Sequence, residues 1–252
     1  MDYKIHEKEG FQYIEEGKDG KQVLLLLHGL FGALSNWSDV IDAFKQDYKV
    51  IIPLLPIYSL PLLKTSVSNL AKYIYDFTLH KNIQDPVLVG NSLGGHVALL
   101  YALEHTENYK SIVLAGSSGL YENGMGGTFP KRGDYNYIKE KTELTFFDPK
   151  MASKALIDEV FETVNDRNRV IRILAMSKSA IRQNLSERLY HITKPVLLVW
   201  GKNDTVTPPS VALDFKKLLK NSHLHYIDQC GHAPMMERPQ EFNTIFKAFL
   251  GR

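Results

Sequence analysis

The sequence predicts an α/β protein, a mostly parallel central sheet flanked by helices and interrupted by a helical insert. Three observations carry this expectation. Short apolar runs alternate with helical periodicities along most of the 252 residues, the rhythm of parallel sheets whose crossovers are helices. A serine flanked by glycines, Gly90-Asn91-Ser92-Leu93-Gly94, stands between an apolar run and a helical pattern. Between residues 120 and 190 the rhythm changes, and helical patterns succeed one another without a clear strand.

The elements follow in order. Residues 3–7 and 11–15 suit an opening hairpin around Glu9-Gly10. The continuous apolar run Val23–Leu27 suits a strand buried on both faces, and it leads into His28-Gly29-Leu30-Phe31-Gly32. Residues 37–45 suit a helix with Asn36 near its N-cap, and Lys49–Pro53 the next strand. Val67, Leu70, Ala71, Ile74 and Phe77 recur at helical spacing, with Thr65 or Ser66 as cap. Pro86–Val89 is a strand, and Val97, Ala98, Leu100, Tyr101 and Leu103 give the helix after Ser92 an apolar face. Ser111–Ala115 is a strand ending at Gly116-Ser117-Ser118-Gly119.

Gly124, Gly126 and Gly127 open the insert, where Leu156, Val160 and Val164 form one stripe. Ile171, Leu174, Ala175, Lys178, Ile181 and Leu185 nearly form a second. Strands resume at Pro195–Trp200 and His223–Ile227, and an amphipathic helix over residues 239–250 closes the chain. Residues 1–119 and 191–252 are therefore expected to form the core, with 120–190 a helical cap.

Composition bounds the function. Hydrophobic residues make up 44% and charged residues 23%, with a net charge of +2, ordinary for a soluble globular protein and too mildly basic for a nucleic-acid surface. The apolar run Val23–Leu27 is too short to span a bilayer, and the first residues lack the apolar core of a secretory signal. The single cysteine, Cys230, cannot form an internal disulfide, which fits a reducing compartment. Cytoplasmic location without a membrane or nucleic-acid partner is the expectation; the sequence carries no signal for oligomeric state. The sequons at Asn36 and Asn184 are then chance matches.

The glycine-flanked serine has the spacing of a nucleophile elbow. Side chains at Gly90 and Gly94 would collide with the neighbouring strand and helix, and the sharp turn would lift the Ser92 hydroxyl out of the sheet. A serine needs a base, and the base an orienting acid. Asp204 follows the strand ending at Trp200, and His232 follows the strand ending at Ile227. Gly116–Gly119 offers no carboxylate, so Asp204 is the expected acid. The Leu93 N–H and an N–H from the loop after Val23–Leu27, Leu30 first and Phe31 as alternative, would form the oxyanion hole.

Phe31, Trp37, Met235 and Met236 are candidate wall residues, and Asn91 either contacts substrate or orders the turn. Arg167, Arg169, Arg172 and Arg182 of the insert could bind a substrate carboxylate. His28 is expected to order its loop and His96 to be packed, while His6, His80, His105 and His191 read as surface or loop residues. No histidine pair has metal-ligand spacing, so neither metal nor cofactor is expected, and Cys230 reads as a small buried side chain.

In the order HG-x-x-G, G-x-S-x-G, G-x-x-D, G-H, the chain resembles the α/β-hydrolase superfamily along nearly its whole length. The stretch Gly231-His232-Ala233-Pro234-Met235-Met236-Glu237-Arg238-Pro239 is similar to the histidine segment of its esterase and meta-cleavage-product hydrolase branches. The resemblance implies Ser92 as nucleophile, His232 as base then acid, and Asp204 as its orienting partner. One segment departs. Many relatives carry Asp-x-Pro-Gly-x-Gly-x-Ser after the strand at Lys49–Pro53, where this chain has Pro53-Leu54-Leu55-Pro56-Ile57-Tyr58-Ser59-Leu60-Pro61. Hydrolysis of a small carboxylic ester through an acyl-enzyme is expected. Carbon–carbon bond hydrolysis, acyl transfer and a non-catalytic small-molecule receptor are the alternatives.

Overall fold

A computed structural model describes residues 3–31, 37–122 and 131–251. The expected cap residue Asn36 and the glycines at 124, 126 and 127 lie outside the described residues. The chain opens with a hairpin of β1 (Ile5–Lys8) and β2 (Phe11–Gly17), whose turn places Glu9 and Gly10 at φ 50° and 82°. Two successive positive φ values give the turn the twist a two-residue hairpin requires. Then come β3 (Val23–Leu27), α1 (Ser38–Phe44), β4 (Lys49–Pro53), α2 (Val67–His80), β5 (Val87–Asn91), α3 (Leu93–Glu104) and β6 (Ser111–Ala115). After β6 the helices α4 (Tyr135–Glu143), α5 (Lys154–Asn165) and α6 (Arg167–Arg182) intervene before β7 (Val196–Gly201), α7 (Pro209–Leu218), β8 (Ser222–Ile227), α8 (Pro234–Glu237) and α9 (Pro239–Leu250).

The strands form one eight-stranded sheet in the order β1-β2-β4-β3-β5-β6-β7-β8. The pairs β1–β2 and β2–β4 are antiparallel and the remaining pairs parallel. Strict alternation along the central strands builds a core on each face. Leu25 and Leu27 belong to the core that α2, α3 and α7 cover on one face, while Leu24 and Leu26 belong to the core with Trp37, Phe44, Phe242 and Phe246 on the other. All four leucines are fully buried, each contributing on the order of 1.5–3 kcal/mol relative to exposure. Parallel pairing brings the carboxyl ends of β3, β5, β6, β7 and β8 to one edge, where ligands bind in open α/β sheets.

Three expectations are corrected. From Leu93 to Ala102 every residue of α3 is buried, so that helix has no solvent face over most of its length. It lies between the sheet and α2, and polar His96 is enclosed with it. On α6 the buried face is Val170, Ile173, Met176 and Ala180, while Ile171, Leu174 and Ile181 are exposed. The helix is apolar on two sides, and periodicity selected the outer one. His80, expected at the surface or in a loop, ends α2 with a largely buried ring whose Nδ1 meets Glu9 at 3.0 Å, whereas His105 lies in the loop after α3 as expected and stacks on Tyr75 with ring centres 3.5 Å apart. Capping follows expectation where it is described, since Ser66 accepts from the Asn69 N–H at 3.2 Å. Among the described residues no helix is long and apolar enough to cross a membrane.

Candidate active site

Ser92 stands between β5 and α3 with φ 52° and ψ −121°, left-handed backbone that a serine adopts at a cost of about 1–3 kcal/mol. Its neighbours show why the flanking positions are glycine. A Cβ at Gly90 would lie 2.5 Å from the Gly94 carbonyl, and one at Gly94 would lie 2.1 Å from the Leu27 carbonyl oxygen. The turn can therefore close only where β3, β5 and α3 touch backbone to backbone. Leu93 heads α3, so its N–H has no partner within the helix.

The loops after β7 and β8 converge on the same edge. Asp204, 3% exposed, uses all of its acceptor geometry. Oδ1 accepts from the Val206 and Thr207 N–H groups at 2.8 and 2.9 Å. Oδ2 accepts from Thr207 Oγ1 at 2.8 Å and from His232 Nδ1 at 2.9 Å. With Nδ1 bearing the proton, His232 Nε2 carries the lone pair; it is buried and without a hydrogen-bond partner among the described residues. Burial opposes the imidazolium, but the Asp204 charge and hydrogen bond outweigh it and raise the His232 pKa above its ordinary value, with Glu122 and Glu237 adding to the effect. A Cβ at Gly116 would lie 3.1 Å from both Asp204 Oδ2 and His232 Nδ1, so that glycine clears the space behind the pair.

The histidine loop is fixed from two further sides. Glu237, itself buried, accepts from the N–H groups of Gly231 and Ala233, bracketing His232, and from Phe147 at 2.8 Å. The His232 N–H donates to the Thr145 carbonyl at 3.0 Å. Asn91 Nδ2 donates to the Ala115 and His232 carbonyls at 2.8 and 3.1 Å. Both Asn91 N–H donors are thus engaged in ordering the turn, which leaves only its Oδ1 for any other contact.

Between β3 and α1 the expected oxyanion loop is held by the unusual segment after β4. His28 Nε2 accepts from the Leu55 N–H at 3.0 Å while its Nδ1 donates to Gly29 O at 2.9 Å, so the neutral tautomer is fixed. Burial lowers the His28 pKa further. Tyr58 donates its hydroxyl to the Leu30 carbonyl at 2.8 Å. The prolines of residues 53–61 thus shape a buttress that replaces a glycine-rich turn.

Ser92, Leu93, Leu30, Phe31, Asn91 and His232 line one pocket of about 140 Å³, together with the apolar Phe146, Leu156, Val160, Met176, Ala180 and Met236. A cavity of about 150 Å³ by this measure accepts a benzene-sized guest. Asp204 stands behind His232, outside the lining. Of the candidate wall residues, Phe31 and Met236 line the pocket, whereas Trp37 and Met235 are buried in the core beneath α1 and α9. None of Arg167, Arg169, Arg172 and Arg182 lines it. Arg172 Nε donates to Leu60 O at 2.9 Å, the Arg169 guanidinium lies 5.6 Å from the Tyr58 ring centre, and Arg182 Nε donates to Lys178 O at 3.2 Å. Burial pushes the Cys230 thiol up, away from the reactive thiolate. Thr207, Glu237 and Tyr58 escaped the sequence reading. Glu237 had a usable signal, a carboxylate five residues after the histidine and at the end of a short helix.

The chain matches, over residues 22–239, the family described as alpha/beta hydrolase fold. It is 29% identical over 258 residues to the 2-hydroxy-6-oxo-6-(2'-aminophenyl)hexa-2,4-dienoic acid hydrolase of Metapseudomonas resinovorans, covering 96% of this chain and 87% of that protein. It is 26% identical to Lipase 3 of a Moraxella species (strain TA144), covering 94% of this chain and 80% of the lipase. Among solved structures, an alpha/beta hydrolase enzyme from a lagoon-sediment metagenome (Mar Chica, Morocco) superposes with a TM-score of 0.82 and 41% identity over 98% of each chain.

Proposed function

The chain belongs to the α/β-hydrolase family, and we propose that within it this protein is a serine hydrolase of small carboxylic esters, working through an acyl-enzyme. The observation that carries the reading is the buried Nε2 of His232, without a hydrogen-bond partner among the described residues and oriented by Asp204 on the wall of the pocket into which the Ser92 turn opens. Nε2 takes the Ser92 proton as Oγ attacks the ester carbonyl, and the Leu93 and Leu30 N–H groups receive the oxyanion. Removing one such donor typically costs about 3–4 kcal/mol of transition-state stabilisation. His232 then delivers the proton to the departing alcohol. Water enters, gives a proton to the same Nε2, and attacks the acyl carbonyl, after which the proton returns to Ser92. The helices α4–α6 act as a cap whose apolar side chains hold the acyl chain. The single buried cysteine and the mild charge favour a cytoplasmic enzyme.

Carbon–carbon bond hydrolysis could use the same three residues, and the name of the dienoic acid hydrolase among the relatives favours testing it. The pocket weighs against that chemistry. An acidic substrate would enter beside Glu122, and none of the described lining residues is an arginine. Acyl transfer needs an acceptor other than water to reach the acyl-enzyme. The deciding experiment labels the protein with a fluorophosphonate and follows p-nitrophenyl butyrate hydrolysis in wild type and Ser92→Ala. Ser92-specific labelling with loss of turnover in the variant supports the reading; a folded wild-type protein that takes no label supports the non-catalytic receptor instead.

A further inference from the structure

One charged group in the pocket has no part in the steps above. Glu122 follows the turn after β6, is partly buried, and lines the cavity together with Ser92, Ser118 and His232. Among the described residues it makes no hydrogen bond and no ion pair. The other charged lining residue, Lys141, is exposed and sits 5.6 Å from the Tyr137 ring centre. The remaining wall is largely apolar. A carboxylate kept in such a wall without a partner is costly unless something that enters the pocket compensates it.

Its placement indicates which part of a substrate that is. His232 Nε2 hands its proton to the leaving alcohol, so a group beside His232 faces the alcohol side of a bound ester. The two side chains are close enough for their charges to interact, each favouring the charged form of the other. Burial raises the Glu122 pKa above the usual carboxylate value, and the nearby His232 opposes that rise.

We propose that Glu122 is a specificity determinant that selects esters whose leaving alcohol carries a positive charge over those whose alcohol carries a negative one. This rests on the ester-hydrolase reading and names its substrate class. A cationic alcohol would meet the carboxylate directly, and its positive end needs no hydrogen-bonded cradle. An anionic alcohol would be repelled by the same carboxylate, in a wall that is otherwise largely apolar.

Three butyrate esters of similar size test it at about pH 8.5, where a carboxylate is ionised: 2-(trimethylammonio)ethyl butyrate, 3,3-dimethylbutyl butyrate and 3-(butanoyloxy)propanoate. The readout is the ratio of kcat/KM for the cationic to the anionic ester, in wild type, Glu122→Gln and Glu122→Asp. The ratio in wild type should exceed that in Glu122→Gln by at least about tenfold, the size expected for one charge pair at a partly desolvated site. Glu122→Asp, which keeps the charge, should retain most of it. An equal ratio in wild type and Glu122→Gln overturns the proposal, as does a wild type that prefers the anionic ester. Hydrolysis of the uncharged ester reports separately on the ester reading. Should wild type cleave none of the three, that reading fails, and charge selection is read instead from thermal stabilisation by butyltrimethylammonium against pentanoate. Stabilisation by the cation that disappears in Glu122→Gln upholds the role of Glu122, and its persistence in the variant overturns it.

Discussion

Glu237 provides the sharpest test of how the site is held. Its carboxylate does not line the pocket, yet it accepts from the N–H groups on either side of His232 and from Phe147 in the segment between α4 and α5. Glu237→Gln keeps the shape and replaces one oxygen by an amide NH2. Whichever oxygen is lost, at least one backbone N–H then faces another donor. An orphaned buried N–H costs about 1–3 kcal/mol, and the surviving bonds fall from charge-assisted to neutral strength. The expected destabilisation is about 2–4 kcal/mol, measured as a lowered urea midpoint with an unchanged m-value. If His232 acts through Nε2 as proposed, a loosened loop should lower kcat by at least about tenfold while KM changes little. A variant within about 0.5 kcal/mol of wild type, with kcat within about twofold, would refute the idea that this carboxylate fixes the histidine.

Two further outcomes follow from buried groups around the site. Tyr58→Phe removes one hydrogen bond, that to the Leu30 carbonyl, so stability should fall by about 1 kcal/mol. If the loop it holds supplies an oxyanion donor, kcat for p-nitrophenyl butyrate should fall by about five- to fiftyfold with KM nearly constant, a loss below that of deleting the donor itself; unchanged kcat would show that the buttress is dispensable. Burial lowers the His96 pKa to about 4, so the unfolded chain binds a proton that the folded one refuses. Stability should therefore fall as pH drops from about 6.5 to 4, by on the order of 2–3 kcal/mol from this residue. Urea titrations at pH 7 and 4.5 should show a shallower loss in His96→Gln than in wild type; an equal or steeper loss would mean the ring is protonated in the native state.

Much of this arrangement was legible in the sequence because its signals are local. Gly90 is demanded by backbone contact with Gly94 and Gly95 inside the motif and Gly94 by the β3 backbone at Leu27, while Asp204 follows a strand that a continuous apolar run announces and His232 follows one marked by alternation. The parallel sheet then brings those strand ends together without further instruction. What escaped was set by contacts distant in sequence or by ambiguous faces. Ile171, Leu174 and Ile181 satisfy a helical period as well as the buried Val170, Ile173 and Met176 do, and only the partner surface decides between them. Tyr58 has no local pattern that marks it, since its role depends on a carbonyl 28 residues earlier. Glu122 follows a strand and turn that carry no charge signal; the pocket opposite gives it meaning.

The departure at residues 53–61 and the histidine segment turn out to share a logic. Each ties one half of the proposed chemistry to the helices between β6 and β7. Tyr58 holds the Leu30 carbonyl and lies beneath Arg169, while Arg172 holds Leu60 of the same loop. On the other side, Thr145 and Phe147 of the segment after α4 meet His232 and Glu237. The loop and the histidine proposed as oxyanion donor and base are therefore both tied to the segments between β6 and β7 as well as to the sheet. Displacing the cap would loosen the donors and the base together, before any change in the lining was felt by a substrate. A cap that only filtered substrates would need neither tie.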